Sequence, residues 1–348
     1  MTTFSTRGQT DLPAEFRTTV DAFLETTLRG KLAGEVGTHL DIPIRVLRDF
    51  LAGGGKRLRP IYCYCGWLAA GGDPEDPVVV RLGAAVELYH AFALMHDDVI
   101  DASDIRRGHP TAQRAFEHYQ PRASTARFGE NAALLLGDLC ADWADELFGT
   151  MHEARRMFTL MRTELVVGQY LDLCGTGDGI GSLEQALTVD LYKTGSYTVQ
   201  RPLHIGAAAA GAGEAVFEAC SAYGLPLGQA FQMCDDLEDV VENVGDPGYV
   251  GNDLKEGKAT VPIALAMSRA DPGQRRRLGV LLADPELGAA GAAEARAIIA
   301  ATGAIEATIE MIGRYRGRAL DSLRTAPFPP HVAGMLEELA WRAVRWPA

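Results

Sequence analysis

Two short acidic clusters, far apart in the chain, share the spacing Asp-Asp-x-x-Asp. The first is "DDVID" at residues 97–101 and the second is "DDLED" at residues 235–239. Each follows an apolar stretch with helical spacing, and residues four apart on a helix lie only about 40° apart around its axis. Carboxylates so close together repel one another unless a cation lies between them. Two facing clusters are suited to hold Mg²⁺, which takes oxygen ligands and shares them with substrate phosphates.

Basic residues close to the clusters supply the further cations that a diphosphate needs. They lie in four short stretches: Arg106 and Arg107 after the first cluster, Lys193 in "YKTGSYT", Lys258 in "NDLKEGKAT", and Lys56, Arg57 and Arg59 in "GGGKRLRP". His90 precedes Asp97 by seven residues, so on a continuous helix it lies about 20° from Asp97 and two turns below it. Together these residues predict a diphosphate clamp, with His90 either facing the same cavity or serving as an ordinary polar residue of its helix.

The pattern of apolar residues predicts that helices position these side chains. Apolar residues recur at helical spacing nearly everywhere, as at Leu82, Val86 and Tyr89, and no convincing strand is found. Clusters of glycine, proline and aspartate separate the helices, which we expect to number ten or so. The prediction is an all-α fold that forms one domain over residues 1–348, with residues 1–20 as a loosely ordered N-terminal segment.

Composition and charge exclude several classes of function. The 348 residues carry a formal net charge of -13 at pH 7, which disfavours nucleic acids and anionic membranes as partners. The N-terminus lacks the pattern of a signal peptide, and no run of about 18 apolar residues predicts a membrane span. A cytoplasmic protein without stable membrane insertion is therefore expected. The six cysteines form no CxxC pair and are expected to be reduced thiols in the core.

Six stretches closely resemble the trans-type isoprenyl diphosphate synthases, the polyprenyl synthetase family. They are "GGGKRLRP", "HDDVIDASDIRRGHPT", "GQYLDL", "YKTGSYT", "FQMCDDLEDV" and "GNDLKEGKATVP", and they occur in the family's order. The resemblance implies an all-α bundle around a deep central cavity, assembled as a homodimer. It also implies that Mg²⁺ supports the head-to-tail condensation of isopentenyl diphosphate with an allylic diphosphate (dimethylallyl, geranyl or farnesyl).

The resemblance further implies roles for individual residues. Mg²⁺, expected at three ions per active site, would be held by Asp97, Asp98, Asp101, Asp235 and Asp239, with Asp236 in support. Isopentenyl diphosphate would be held by Lys56, Arg59, His90 and Arg107. The allylic diphosphate would be held by Arg106, Lys193 and Lys258. Thr194 and Gln232 would line the reacting carbons, and Gln169 and Asp172 would face the metal cluster.

One position departs from the family pattern. Family members commonly carry a lysine in the loop before the "GNDL" aspartate, where this chain has Tyr249. One contact to the allylic diphosphate is therefore expected to be missing or to come from Lys255.

The residues just before the first cluster predict the product length. In the family, this part of the helix forms the floor of the cavity, and here Phe92 and Ala93 lie five and four residues before Asp97, about 6 to 8 Å along the helix axis. One bulky and one small residue indicate a C20 product, geranylgeranyl diphosphate, with C15, farnesyl diphosphate, as the alternative. The Phe92 ring should block much longer products.

Three other interpretations stay open from the sequence. His96 and Asp97 form the dipeptide of metal-dependent phosphohydrolases, although that interpretation leaves the second acidic cluster unexplained. A terpene cyclase also uses the Asp-Asp-x-x-Asp motif with Mg²⁺, but it has no need for an isopentenyl diphosphate site. A regulatory subunit of the same fold tends to lose one or both acidic motifs, whereas both are intact here.

Overall fold

The computed structural model describes residues 12–120, 126–175, 181–241 and 250–344. Its first helices are α1 Leu12–Lys31, α2 Gly34–Gly37, α3 Asp41–Ala52, α4 Leu58–Ala69, α5 Pro77–Ile100, α6 Ala112–Tyr119, α7 Ala126–Phe148 and α8 His152–Cys174. They are followed by α9 Leu183–Val189, a π-helical segment Asp190–Gln200, α10 Arg201–Ala209, α11 Glu214–Val241 and α12 Asn252–Glu256. The last helices are α13 Val261–Arg269, α14 Pro272–Leu282, α15 Ala289–Ala301, α16 Ala304–Leu323 and α17 Pro330–Ala343.

The predicted all-α fold class is confirmed, with two differences in detail. The described residues form more helices than the ten or so expected, because several turn-rich stretches contain short helices such as α2 and α12. They also form one small antiparallel hairpin, β1 Ile105–Arg106 and β2 His109–Pro110. Positive φ angles at Arg107 and Gly108 match the type I′ turn of a two-residue hairpin. This hairpin follows the first acidic cluster and folds the two arginines back beside it.

The N-terminal helix corrects the prediction of a loose segment over residues 1–20. Helix α1 begins at Leu12, and the side chains of Phe16 and Val20 are buried in the hydrophobic core. The ring of Phe16 stacks on Tyr64 of α4 with 4.4 Å between the ring centroids. Residues 12–20 are therefore part of the packed fold, whereas residues 1–11 lie outside the described residues.

Helix α5 lies in the core and carries the first acidic cluster in its last turn and C-cap. Asp76 caps its N-terminus by accepting a hydrogen bond from the Val78 amide at 2.9 Å, and Pro77 occupies the first turn. Contrary to the expectation from the sequence, α5 is long and apolar enough to cross a bilayer. However, 61% of its most apolar window is buried in the protein. Its apolar side chains are therefore explained by core packing.

A close approach between α11 and the π-helical segment brings the second acidic cluster next to Lys193. Gly228 of α11 meets Gly195 so closely that a Cβ atom at Gly228 would lie 2.4 Å from the Gly195 Cα atom. Only glycine fits such a contact. Because Gly228 lies about two turns before Asp235, this approach sets the position of the second cluster relative to Lys193 and Thr194.

The cysteines follow the prediction with one exception. Cys63, Cys65, Cys140, Cys220 and Cys234 are free and buried, as expected for core thiols. Cys174, at the end of α8, is free but exposed, so it is not a core residue.

Candidate active site

The first two aspartates of the first acidic cluster are bonded to the hairpin that follows it. Nε of Arg106 donates to Asp98 at 2.7 Å, and Nη2 donates to Asp97 at 3.2 Å. Asp98 is fully buried. Burial raises its pKa to about 6 even though Arg106 acts in the opposite direction. Asp98 therefore orients Arg106, while Asp97 keeps a second oxygen for other partners.

Two lysines from other parts of the chain meet the remaining oxygens of the first cluster. Nζ of Lys193 lies 3.5 Å from Asp97 and donates to Asp172 of α8 at 2.6 Å. Nζ of Lys258 donates to Asp101 at 3.2 Å. Gln169 of α8 also donates to Asp97, at 3.1 Å. The structure thus brings α5, α8, the π-helical segment and the chain after α12 together around these carboxylates.

The charges of these lysines set the protonation of the cluster. Burial would raise the pKa of Asp97, but Lys193, Arg106 and Lys258 outweigh it and lower this pKa. The pKa of Asp101 is raised by burial and by the charge of Asp97, against Lys258. Burial would also lower the pKa of Lys193, but Asp97 and Asp172 raise it. Asp97 and Lys193 are therefore held as a charged pair.

The second acidic cluster has different partners. Asp236 is buried and accepts a hydrogen bond from Nε2 of Gln232 at 2.6 Å, and Gln232 in turn accepts one from the hydroxyl of Thr194. Burial raises the pKa of Asp236 to about 7. Asp239 accepts two backbone hydrogen bonds, from Asn252 and Asp253, each at 3.0 Å. Asp236 is thus tied to the residues near the lysines, and Asp239 holds the start of α12.

Asp235 is the one aspartate of the second cluster whose side chain is exposed. Its pKa is raised to about 7. The first cause is that the surrounding protein displaces water from the carboxylate, and the second is the neighbouring charges of Asp236 and Glu238. Water screens part of this effect at an exposed group. Lys56 and Arg59 act in the opposite sense, so the "GGGKRLRP" loop lies close enough to influence Asp235.

Two buried carboxylates near this cluster were missed as site candidates. Asp190, three residues before Lys193, is only 4% exposed, and burial together with Asp236 raises its pKa well above its ordinary value. Burial and Asp239 do the same for Asp253. Both line a cavity of about 490 Å³ together with Lys193, Gln232, Asp236 and Lys258. The position of Asp253 inside "GNDL" was the available signal, whereas Asp190 belongs to no quoted motif.

Two of the residues predicted to bind isopentenyl diphosphate, Arg59 and His90, are hydrogen-bonded to each other. Arg59 donates to His90 Nε2 at 3.0 Å and to Thr198 at 2.7 Å, and it lies 4.3 Å from the ring centre of Tyr197. Burial and the charge of Arg59 lower the pKa of His90 well below its ordinary value. His90 is therefore neutral, accepts from Arg59 at Nε2 and donates from Nδ1 to the Tyr197 hydroxyl at 3.2 Å.

The glycine-rich loop presents Lys56 to solvent and buries Arg57. Lys56 is exposed, whereas Arg57 donates to Asp21 at 3.0 Å, to Glu87 at 2.7 Å and to the Leu51 carbonyl at 2.7 Å. Arg57 thus holds the loop in place through these bonds, and it does not line the cavity of about 490 Å³. Arg107, at the tip of the hairpin, donates to the carbonyl of Gly54 in the same loop.

The predicted cavity floor is an aromatic column. The Phe92 ring lies 4.4 Å from His96 and 4.9 Å from Tyr89, measured between ring centroids. Tyr89 meets Phe158 edge-on at 5.2 Å. Ala93, the other predicted floor residue, is half-buried and packs against the core.

His96 does not act beside Asp97 as the phosphohydrolase interpretation requires. Its Nε2 donates to the Leu134 carbonyl of α7 at 3.1 Å, while Asp97 meets Arg106 and Lys193. Tyr249, where the family pattern has a lysine, lies outside the described residues.

The donor set fits a hard divalent cation that is shared with a ligand. Asp97, Asp101 and Asp235 offer carboxylate oxygens, the type that Mg²⁺ prefers. Within the ranges that the structure describes, no three His, Cys, Asp or Glu side chains converge at metal-ligand spacing. The two clusters would therefore supply only part of a coordination sphere for such a cation, and phosphate oxygens and water would have to complete it.

Similar sequences belong to one family of prenyl diphosphate synthases. The sequence profile of the family described as Polyprenyl synthetase matches residues 43–299. The nonaprenyl diphosphate synthase of Mycobacterium tuberculosis is 31% identical over 279 residues, which cover 80% of this chain and 79% of that protein. The geranylgeranyl diphosphate synthase of the same organism is 34% identical over 252 residues, covering 70% of this chain and 67% of the relative.

A solved structure of a prenyl diphosphate synthase also matches nearly the whole chain. The geranylgeranyl pyrophosphate synthase of Corynebacterium glutamicum, crystallised with isoprenyl diphosphate and magnesium, is 32% identical and superposes with a TM-score of 0.83. The match covers 98% of this chain and 100% of that one. The relatives make products of different lengths.

Proposed function

The chain belongs to the polyprenyl synthetase family, whose members are Mg²⁺-dependent prenyltransferases, and we propose that it joins isopentenyl diphosphate head-to-tail to an allylic diphosphate. The observation that carries this proposal is the pair of lysines at the first acidic cluster, Lys193 on Asp97 and Lys258 on Asp101. Carboxylates and ammonium groups alternate there, as a site for metal ions and a diphosphate together requires.

The reaction needs a site that accepts negative charge and excludes water. The allylic C–O bond breaks, diphosphate leaves, a C–C bond forms to the isopentenyl double bond, and a proton is lost, which we assign to the departing diphosphate. Arg106, Lys193 and Lys258 are proposed to hold the leaving diphosphate and to stabilise its developing charge. Thr194 and Gln232, bonded to each other, are proposed to line the reacting carbons.

The isopentenyl diphosphate is proposed to bind on the opposite side, at Lys56, Arg59, Arg107 and His90. The neutral His90 leaves Arg59 fully charged for a phosphate, because a hydrogen-bond acceptor orients the guanidinium without neutralising it. Arg57 is proposed to keep this loop in place through Asp21 and Glu87.

Mg²⁺, three ions per site by analogy with the family, is proposed to bind through Asp97, Asp101 and Asp235. When bound, it neutralises phosphate charge as a Lewis acid. Asp98 and Asp239 are better suited to support than to direct ligation, since Asp98 is fully buried against Arg106 and Asp239 bonds two backbone amides.

We propose a C20 product, with Phe92 as the floor. The ring packs on Tyr89, which in turn meets Phe158 edge-on, so a growing chain that passes Phe92 meets a second aromatic layer. Phe92→Ala is expected to lengthen the product by only one or two isoprene units. An unchanged product would show that the floor lies elsewhere.

We also propose a cytoplasmic homodimer built from one domain per chain. The exposed faces of α7 and α8 carry an apolar stripe, which consists of Leu135, Leu160, Val166, Val167, Tyr170 and Leu173. A second copy of the chain would bury this stripe. Val166→Asp with Tyr170→Asp is expected to give monomers in sedimentation, whereas Val36→Asp, on an exposed apolar residue elsewhere, should not.

The experiment that tests the function is direct. Purified protein with Mg²⁺ is incubated with isopentenyl diphosphate and, separately, dimethylallyl, geranyl or farnesyl diphosphate, and products are identified by mass spectrometry. A C20 diphosphate supports the whole proposal, and a C15 product keeps the reaction but moves the floor. Turnover of an allylic diphosphate without isopentenyl diphosphate would favour a cyclase, and no turnover at all would favour a regulatory subunit.

A further inference from the structure

His96 lies next to the first acidic cluster, yet its side chain is directed at α7. Its Nε2–H donates to the Leu134 carbonyl at 3.1 Å, and Asp138 lies 3.5 Å from the same nitrogen. Asp97, the next residue, meets Lys193 and Gln169 instead. The imidazole therefore takes no part in the proposed diphosphate clamp.

The imidazole occupies the space beside α7 where Gly137 has no side chain. A Cβ atom at Gly137 would lie 2.5 Å from Cδ2 and 2.6 Å from Nε2 of His96, so any other residue there would displace the ring. The same atom would lie 3.6 Å from Phe92. His96 is thus packed directly on the backbone of α7.

On its other side, the imidazole meets the ring of Phe92. The two residues are four apart on α5, which places their side chains on one face, and their centroids are 4.4 Å apart. Phe92 in turn meets Tyr89 at 4.9 Å. The Phe92 ring is therefore held between two aromatic neighbours, of which His96 is packed on Gly137 of α7. Without His96, the ring could adopt other rotamers and turn away from a growing chain.

We propose that His96 is a specificity-determining residue that limits product length by fixing Phe92 against α7. It acts through Phe92, so it is a positioning residue rather than a catalytic one. The proposal rests on the proposed condensation and on Phe92 as the floor, and it adds a determinant located beside the acidic cluster on the α7 side.

Two variants should move the product length in opposite directions. His96→Ala opens space beside Phe92, so the ratio of longer products to the principal wild-type product is expected to rise at least about tenfold. Gly137→Ala forces the imidazole away from α7 and towards Phe92, so shorter products should gain. Both are assayed with dimethylallyl and isopentenyl diphosphate, Mg²⁺ and mass spectrometry. The rate of the first condensation should change by less than about fivefold.

Two further variants identify which contact is responsible. His96→Phe keeps an aromatic ring without the hydrogen bond and is expected to retain nearly the wild-type product ratio. His152→Ala replaces an exposed histidine at the start of α8 and should change nothing. Should His96→Ala fail to fold, the Gly137→Ala and His96→Phe variants still test the proposal.

The outcomes separate this proposal from the proposed function. Absence of condensation by the wild-type protein would refute the function itself. If the wild-type protein is active but His96→Ala and Gly137→Ala keep its product ratio, the role of His96 is refuted, even if melting temperature and all rates fall together. An alanine-like ratio in His96→Phe would overturn the packing argument.

Discussion

The two acidic clusters share their spacing but differ in their partners. In the first cluster each aspartate meets a basic side chain, since Arg106 bonds Asp97 and Asp98, and Lys258 bonds Asp101. In the second, Asp236 meets an amide side chain. Among the residues that the structure describes, no lysine or arginine forms an ion pair with Asp235 or Asp236.

This difference decides how each cluster is charged without metal. The pKa of Asp97 is lowered because Lys193, Arg106 and Lys258 overcome the effect of burial. The pKa of the buried Asp236 is raised to about 7. The same motif therefore gives one aspartate, Asp97, that the protein's own cations hold charged, and another, Asp236, whose charge they do not stabilise enough to overcome burial. We infer that metal binding changes the protonation of Asp236 more than that of Asp97.

The largest expected effect is common to both clusters. Asp97→Ala and Asp235→Ala should each lower kcat/KM by roughly 10³-fold or more, since each removes a proposed metal ligand and several kcal/mol of stabilisation of the leaving group. Asp104→Ala is the control, because the side chain of this exposed aspartate accepts from Arg114, away from the metal ligands, and its loss should keep activity within about twofold. Wild-type turnover by Asp97→Ala would refute the clamp.

The melting temperatures of variants should distinguish the two clusters, although the loss of activity does not. Asp97→Asn removes the charge that balances Lys193 and Arg106, so the melting temperature in EDTA at pH 8 should fall by roughly 2–6 °C. Asp236→Asn removes a buried charge without an ion-pair partner among the described residues, so the melting temperature should rise by a similar amount. Both are measured by differential scanning calorimetry.

A shift of the same sign in both variants would show that the two clusters do not differ electrostatically. Adding Mg²⁺ with diphosphate provides a second check. It should stabilise the wild-type protein more than the Asp236→Asn variant, because a ligand stabilises the folded state more when it binds that state more tightly.

The local sequence predicts which helices carry the site but not how charges are paired. The apolar spacing of α5 and the motif after it are enough to place Asp97 near a helix end, because helix periodicity is encoded in neighbouring residues. The partners of Asp97 come from α8 and the π-helical segment, more than 70 positions away. Only tertiary packing brings them together, such as the close approach of Gly168 on α8 to the backbone of Lys193, which has no local signal.

Arg57 illustrates the same limit at one residue. In "GGGKRLRP" it has the same charge as Lys56 and Arg59, and residue type alone gives all three a place in the site. The structure buries it on Asp21 and Glu87, which belong to α1 and α5. Charge complementarity over such separations cannot be read from one sequence. By contrast, the turn at Arg107 and Gly108 has a local signal, a glycine that tolerates positive φ, although no hairpin was predicted there.

The pH dependence of stability sharpens the contrast between the clusters. The pKa of Asp236 in the folded protein is about 7, above its ordinary value of 3.8. Folding therefore favours the protonated form, and this stabilisation is complete below about pH 4 and lost as pH rises through about 7. Asparagine does not titrate, so the excess melting temperature of Asp236→Asn over the wild-type protein, in EDTA, should shrink as pH falls from 8 to 4.

Asp97 should show the reverse dependence. Its pKa in the folded protein is lowered, so its stabilisation is present above its ordinary pKa and lost as pH falls through the lowered value. The deficit of Asp97→Asn should therefore be constant from pH 8 to about pH 5 and shrink only below that. A deficit that disappears near pH 7 would mean that Lys193 does not hold the Asp97 charge.

The smallest expected effect concerns the third aspartate of each motif. Asp101 meets Lys258, whereas Asp239 accepts the backbone N–H groups of Asn252 and Asp253 at the start of α12. Asp239→Ala leaves both N–H groups without this acceptor and should cost about 1 kcal/mol, as other lost helix caps do. Asp239→Asn keeps one acceptor oxygen and should cost less. Equal melting temperatures for the two variants would show that Asp239 does not cap α12.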